Sequence, residues 1–84
     1  MEYLLYILQC ADGTLYTGIT NDLERRMHLH RAGKGSKYVR ARLPFKLVYK
    51  QICANKNIAL KREYKLKKLS RIAKLELIAS NINY

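Results

Sequence analysis

The first 24 residues of this chain contain no lysine and no arginine. All seventeen basic side chains lie between Arg25 and Lys74. Acids run the other way: Glu2, Asp12, Asp22 and Glu24 stand in the first stretch, and only Glu63 and Glu76 follow. Cysteine is scarce. Cys10 and Cys53 form no Cys-x-x-Cys and are too few for a disulfide framework, so both read as core or edge thiols of a cytoplasmic protein. Long apolar runs are missing too. The longest, Tyr3 to Leu8, is far too short to span a bilayer, and no basic flank precedes it as in a signal peptide. With one proline and no low-complexity tract, the composition is that of a globular chain.

What is present is charge and apolar pattern. The net charge of +11 is concentrated after residue 24, and a polyanion is the natural partner for such a surface. Nucleic acid fits better than an anionic membrane, because the basic helices lack a wide aromatic face. Eighty-four residues make a single domain, 1–84, that buries roughly 60% of its unfolded surface.

Tyr3 to Gln9 reads as a central strand, apolar on both faces, and Leu15 to Thr20 as its returning partner. The turn between them decides what the hairpin displays. A two-residue Asp12-Gly13 turn sets Tyr6 and Tyr16 on opposite faces. A three-residue Ala11-Asp12-Gly13 loop with left-handed Gly13 pairs Leu8 with Tyr16 and Tyr6 with Gly18. Tyr6, Leu8, Tyr16 and Gly18 then share one face, with Leu5, Ile7, Leu15 and Ile19 on the other, and we expect this odd-length loop. Gly18, opposite a phenol, would leave room for a ligand or a close backbone.

Asn21 with Glu24 resembles a capping box, and Gly33 a stop, which predicts a helix over Asp22–Ala32. Leu23 and Met27 make its buried stripe, bordered by Arg26 and His30, four residues apart. The connection from Gly33 to Pro44 is rich in base and glycine. Ser36 can cap a short helix there, and Lys34, Lys37, Arg40 and Arg42, with Tyr38 as a stacking ring, form the best candidate segment for gripping phosphates. A third strand is expected over Leu47–Cys53, a helix over Ile58–Leu69 and, after a Ser70 cap, a last helix over Arg71–Ala79. The fold class is therefore α+β: a small three-stranded antiparallel sheet flanked by helices, in the order β-β-α-(short α)-β-α-α.

Glu63 is the odd acid. It falls among the apolar arc of its helix (Ile58, Ala59, Leu66 and Leu69, extended by Leu60 and Tyr64), while Lys61, Lys65 and Lys68 take the solvated face. An inward carboxylate must pair or bind a cation. Lys67, four residues on, is one partner; a divalent metal held by one carboxylate, waters and substrate phosphate is the other. Glu76, beside Lys74, reads as surface.

Taken together, these residues resemble the GIY-YIG nuclease domain, in the form of its small stand-alone bacterial members. Leu4-Leu5-Tyr6 stands for Gly-Ile-Tyr and Tyr16-Thr17-Gly18 for Tyr-Ile-Gly. Arg26 follows ten residues after Tyr16, His30 takes the next position, and Glu63 lies on the later helix. Two departures stand out. Leucines replace the Gly and Ile of the first motif, and the asparagine many members carry after the glutamate has no clear match: Lys74-Leu75-Glu76-Leu77 occupies that stretch, with Asn81 and Asn83 beyond it.

The resemblance implies a hydrolase: a divalent-metal-dependent endonuclease that cleaves DNA phosphodiesters, of the kind used in repair or recombination, with Mg²⁺ or Mn²⁺ on Glu63. It gives Tyr16 the part of the base toward the attacking water, which asks that nearby cations lower a phenol whose free pKa is about 10. Arg26 would grip the scissile phosphate, and Tyr6 and His30 would hydrogen-bond the phosphate or its waters, His30 also as a proton shuttle. Gly18 clears the way. In larger relatives attached domains choose the target, so a protein partner would do so here. Two other readings compete: a nucleic-acid-binding module of the same fold that has lost turnover, and an RNA or ribosome accessory factor suggested by charge alone.

Overall fold

A computed structural model describes residues 1–80; Asn81 and Asn83 lie outside the described residues. The elements follow the expected order: β1 (Tyr3–Cys10), β2 (Leu15–Thr20), α1 (Leu23–Arg31), α2 (Lys37–Arg40), β3 (Phe45–Cys53), α3 (Lys56–Lys67) and α4 (Arg71–Ser80). β1 is the middle strand of the sheet β2-β1-β3, antiparallel to both neighbours.

The hairpin takes the odd-length loop. Leu8 pairs with Tyr16 and Tyr6 with Gly18. Gly13 has φ +84°, the left-handed region a glycine enters without a Cβ penalty. Its N–H donates to the Cys10 carbonyl at 2.9 Å, and the Cys10 N–H donates to the Thr14 carbonyl at 2.9 Å. Asp12 closes the loop by accepting from the Thr14 N–H and hydroxyl at 3.0 and 2.6 Å.

Alternation along β1 then separates two cores. On one face Leu5 and Ile7 join Tyr49, Cys53, Ala59 and Leu66, with Leu77 and Ile78 against them, so α3 and α4 cover this side. On the other, Tyr6, Leu8 and Cys10 join Met27 and Val39, with Tyr16 and Phe45 at the margin, so α1 and α2 cover that side. The second core is aromatic, and the site lies in it.

Several boundaries move. The cap of α1 is Asp22, not Asn21: its carboxylate accepts from the Arg25 N–H at 3.1 Å. Asp22 is itself held by Thr20, whose hydroxyl accepts its N–H at 3.1 Å, so it is the residue in place to cap. At the other end Gly33 (φ +76°) donates to His30 and Lys34 to Leu29, at 3.1 and 2.8 Å, a Schellman stop. Ser36 caps α2. β3 starts at Phe45 rather than Leu47, with an irregularity where Ile7 meets Tyr49 and Leu8 meets Leu47. α3 starts at Lys56 rather than Ile58, because the Asn55 carboxamide caps it by accepting from the Ile58 N–H at 2.9 Å. Leu60 and Tyr64, expected inward, are exposed; Tyr64 instead carries the Lys68 ammonium 4.2 Å over its ring.

Candidate active site

Tyr6 comes from β1, Tyr16 and Gly18 from β2, Arg26 and His30 from α1 and Glu63 from α3. The register sets Tyr6 opposite Gly18, and the i, i+4 spacing puts Arg26 and His30 on one side of α1. His30 and Met27 are the buried residues of α1.

The centre is a buried pair. Tyr6 and His30 are each 1% exposed, and Tyr6 Oη lies 3.0 Å from His30 Nε2. Gly18 is part of how Tyr6 fits: a Cβ on residue 18 would fall 2.5 Å from Tyr6 Oη and 2.6 Å from Cζ. The space expected beside Gly18 is therefore filled by the phenol itself. His30 makes edge contacts with three rings: Tyr6, Tyr16 and Phe45, at centroid distances of 6.0, 5.7 and 5.9 Å. Its Nδ1 is buried and has no hydrogen-bond partner among the described residues.

Electrostatics follow from that enclosure. Burial pushes the Tyr6 phenol far above its usual range; Tyr16 adds to the rise, Arg26 opposes it, and Glu63 adds a smaller increment. Burial also holds the His30 imidazole below its usual range, and the Arg26 charge adds to this. Both groups are thus neutral at pH 7.

Tyr6 and His30 were expected to hydrogen-bond the phosphate or its waters. In the structure they are enclosed and bonded to each other, because the bare Gly18 leaves room for the Tyr6 phenol and α1 brings His30 within reach of it. Tyr16, Arg26 and Glu63 are the partly exposed members. Tyr16 stacks on Tyr38 with centroids 5.8 Å apart and planes at 25°.

The basic connection divides as well. Lys34, Lys37 and Arg40 are exposed. Arg42 is structurally employed: its Nε pairs with Asp12 at 3.2 Å, its Nη1 donates to the Tyr38 carbonyl at 3.0 Å, and its guanidinium lies 3.8 Å over the Tyr38 ring. The Ala11 N–H donates to the Arg42 carbonyl at 3.0 Å, so this residue ties the connection to the hairpin loop. Tyr38 is thereby held between functional and structural neighbours rather than standing alone as a stacking ring.

Glu63 is partly buried, its side chain 19% exposed, and its Oε2 lies 3.6 Å from Lys67 Nζ. The ion-pair reading of this acid is realised. Among the described residues no three His, Cys, Asp or Glu side chains cluster to hold a metal. A cage built wholly from protein ligands is thus not available there. A single carboxylate completed by waters and substrate phosphate is the usual manner of Mg²⁺, and Glu63 fits that manner.

Residues 2–76 match the model of the GIY-YIG catalytic domain. The chain belongs to the GIY-YIG family. GIY-YIG domains are nuclease domains, so the partner expected from the charge is a nucleic-acid substrate. The GIY-YIG domain here is similar to small UPF0213 proteins. One from Clostridium perfringens is 54% identical over 80 residues, covering 95% of this chain and 85% of the relative. One from Oceanobacillus iheyensis is 48% identical over 77 residues, covering 92% and 90%. Among solved structures, a UPF0213 protein of Bacillus halodurans matches with a TM-score of 0.65 at 43% identity, covering 99% of this chain and 88% of that one. A protein of E. faecalis matches with a TM-score of 0.66 at 29% identity, covering 100% and 91%. No helix among the described residues is long and apolar enough to cross a membrane.

Two residues of the GIY-YIG site escaped the sequence reading. Phe45 was outside the expected strand, yet it closes the ring cage of His30. Gly35 lies against the same imidazole: a Cβ there would fall 2.5 Å from Nδ1 and 2.9 Å from Cε1 and Cγ. The closely spaced glycines of Gly33-Lys34-Gly35 were the available signal, since only Gly33 has the positive φ that a helix stop explains.

Proposed function

We propose that this chain is a divalent-metal-dependent endonuclease that hydrolyses phosphodiester bonds in DNA, acting on branched, nicked or damaged forms in repair or recombination. The observation that carries the reading is the buried Tyr6–His30 pair with Tyr16 edged onto the same imidazole, in a strongly basic domain; Arg26 precedes His30 by one helical turn. Tyr16 orients the attacking water and takes its proton as the new P–O bond forms. Arg26 holds the scissile phosphate and offsets the charge that grows on its oxygens while the bond to the leaving oxygen breaks. Tyr6 and His30 fix the floor of the site. Glu63 would hold Mg²⁺ or Mn²⁺, whose chemistry when bound is charge neutralisation at the phosphate. Lys34, Lys37 and Arg40 would grip the flanking backbone, and a protein partner would supply target choice.

A second reading is favoured by the Glu63–Lys67 pair and the unmatched asparagine: a nucleic-acid-binding module without turnover. Plasmid and branched DNA, incubated with the protein in Mg²⁺, Mn²⁺ or EDTA, separate the two. The enzyme gives metal-dependent nicking that is lost in Tyr16→Phe and Glu63→Ala. Salt-sensitive binding without cleavage by the wild type would establish the module instead.

A further inference from the structure

Tyr16 lies on β2, an edge strand, and is partly exposed. Two rings meet its own. His30 comes edge-on, with centroids 5.7 Å apart and planes at 73°; Tyr38 lies along it, at 5.8 Å and 25°. The two supports differ in kind. His30 is 1% exposed and enclosed by the aromatic core. Tyr38 is 36% exposed and stands on α2, a helix of four residues. A single helical turn has little stability of its own, so groups outside α2 must hold that ring in place.

Arg42 supplies the hold. Its guanidinium lies 3.8 Å over the Tyr38 ring, while its Nη1 donates to the carbonyl of the same tyrosine at 3.0 Å. Its Nε pairs with Asp12 at 3.2 Å, and its own carbonyl accepts from the Ala11 N–H at 3.0 Å. Asp12 and Ala11 belong to the hairpin loop that leads into β2. The contacts therefore close a circuit: the loop holds Arg42, Arg42 covers Tyr38, Tyr38 backs Tyr16, and Tyr16 rides on the strand that the loop begins. Val39, fully buried, pins the same turn of α2 to the aromatic core.

We propose that Tyr38 and Arg42 are positioning residues for Tyr16, a clamp that fixes the plane of its phenol ring in the active site. The Arg42 charge is already matched by Asp12, and the guanidinium covers a ring face of Tyr38. Phosphate grip and base stacking, the roles these residues suggest in the bare sequence, give way to one task. The task suits arginine. A planar fork can lie flat on a ring while its edge bonds a carboxylate and a carbonyl; a lysine ammonium is a single point and cannot do all three.

The kinetic arm of the test rests on the proposed nuclease reading; the spectroscopic arm does not. In NMR spectra of the full chain with labelled tyrosine, the Tyr16 ring signals should move toward free-tyrosine values in Tyr38→Leu, which removes the stacked ring. They should move in the same direction in Arg42→Gln, which alters only the clamp behind that ring. On DNA both variants should lower kcat by about tenfold with little change in KM. Tyr38→Phe keeps the ring and should restore most of the rate. Arg42→Lys keeps the charge without the fork and should fall with Arg42→Gln. These two conservative variants also carry the test if either of the others fails to fold. Tyr16 signals unmoved in Arg42→Gln would overturn the proposal, as would a loss confined to KM, which would make the pair substrate contacts. So would Tyr38→Phe as slow as Tyr38→Leu, or Arg42→Lys at the wild-type rate. If no form of DNA is cleaved by the wild type, the nuclease reading fails while the ring signals still decide whether Arg42 holds Tyr16.

Discussion

The two faces of the three-stranded sheet are packed by different rules. Beneath α3 and α4 the face is mostly aliphatic: Leu5, Ile7, Ala59 and Leu66 fill space, with Tyr49 and Cys53 at its edge strand. Beneath α1 and α2 the face carries Tyr6, His30, Tyr16 and Phe45, held by a hydrogen bond, ring edges and two glycine contacts. The first kind of packing is judged by volume, and stability is its consequence. The second is judged by orientation, since each ring has one useful pose and the polar atoms must find partners. An 84-residue chain has few residues to divide between these tasks, so damage to one face and damage to the other should be separable.

The largest separation is expected between Tyr16→Phe and Leu5→Ala. Removing the Tyr16 hydroxyl should lower kcat on DNA by about 10²–10⁴-fold, while urea unfolding shifts by no more than about 0.5 kcal/mol. Leu5, 2% exposed in the aliphatic core, is the converse. Its truncation should lose about 2–5 kcal/mol of stability yet leave kcat per folded molecule near wild type, measured where circular dichroism shows the variant folded. Loss of kcat in folded Leu5→Ala would mean that the faces are coupled after all.

Gly18→Ala should show a smaller effect that joins both readouts. Its methyl would enter the volume of the Tyr6 ring, where the approach is to aromatic atoms of a fully buried side chain that cannot swing away. Overpacking of this kind costs about 1–3 kcal/mol. Here it should also reduce cleavage, because the displaced phenol supports Tyr16 through His30. Gly13→Ala would be destabilised for another reason, a strained φ of +84°, and should leave the chemistry of folded molecules intact.

Legibility in the sequence followed how local each cause was. The hairpin register could be read from Ala11-Asp12-Gly13, because the turn chemistry and the two-residue alternation leave few solutions. Order and type of elements were readable for the same reason. Asp22 displaced Asn21 as cap because of a bond to Thr20, and Asn55 began α3 early; neighbouring residues compete for such roles and the sequence does not rank them. The site was half legible. Tyr6, Tyr16, Arg26, His30 and Glu63 could be singled out by spacing and resemblance. That Tyr6 and His30 bond to each other could not, because they are 24 residues apart and the contact depends on how α1 crosses the sheet. Gly35 was invisible on the same ground: its role is a van der Waals approach to a ring on another element. Arg42 looked like a phosphate ligand because nothing in the sequence announces its ion pair with Asp12.

The smallest effect is a difference in pH dependence between the aromatic face and the hairpin loop. The folded state holds His30 below the ordinary imidazole value, so the unfolded chain binds that proton more tightly. The stability it contributes is fully present above an unfolded pKa of about 6.5 and is lost as pH falls from there toward the folded value. One such group gives a slope of at most about 1.4 kcal/mol per pH unit within that window. Asp12 sits in another window. Hydrogen bonds from Thr14 hold its carboxyl below the usual range, so its contribution is present above an unfolded pKa of about 3.9 and is lost only below it. Urea unfolding at a series of pH values should therefore show His30→Gln flattening the fall that begins below about pH 6.5 and leaving the acid limb as in the wild type. Asp12→Asn should do the reverse. A His30→Gln curve that keeps the wild-type fall below pH 6.5 would show that the imidazole is protonated freely in the folded protein. In that case the aromatic face would be open to water, and its contrast with the aliphatic face would be one of composition only.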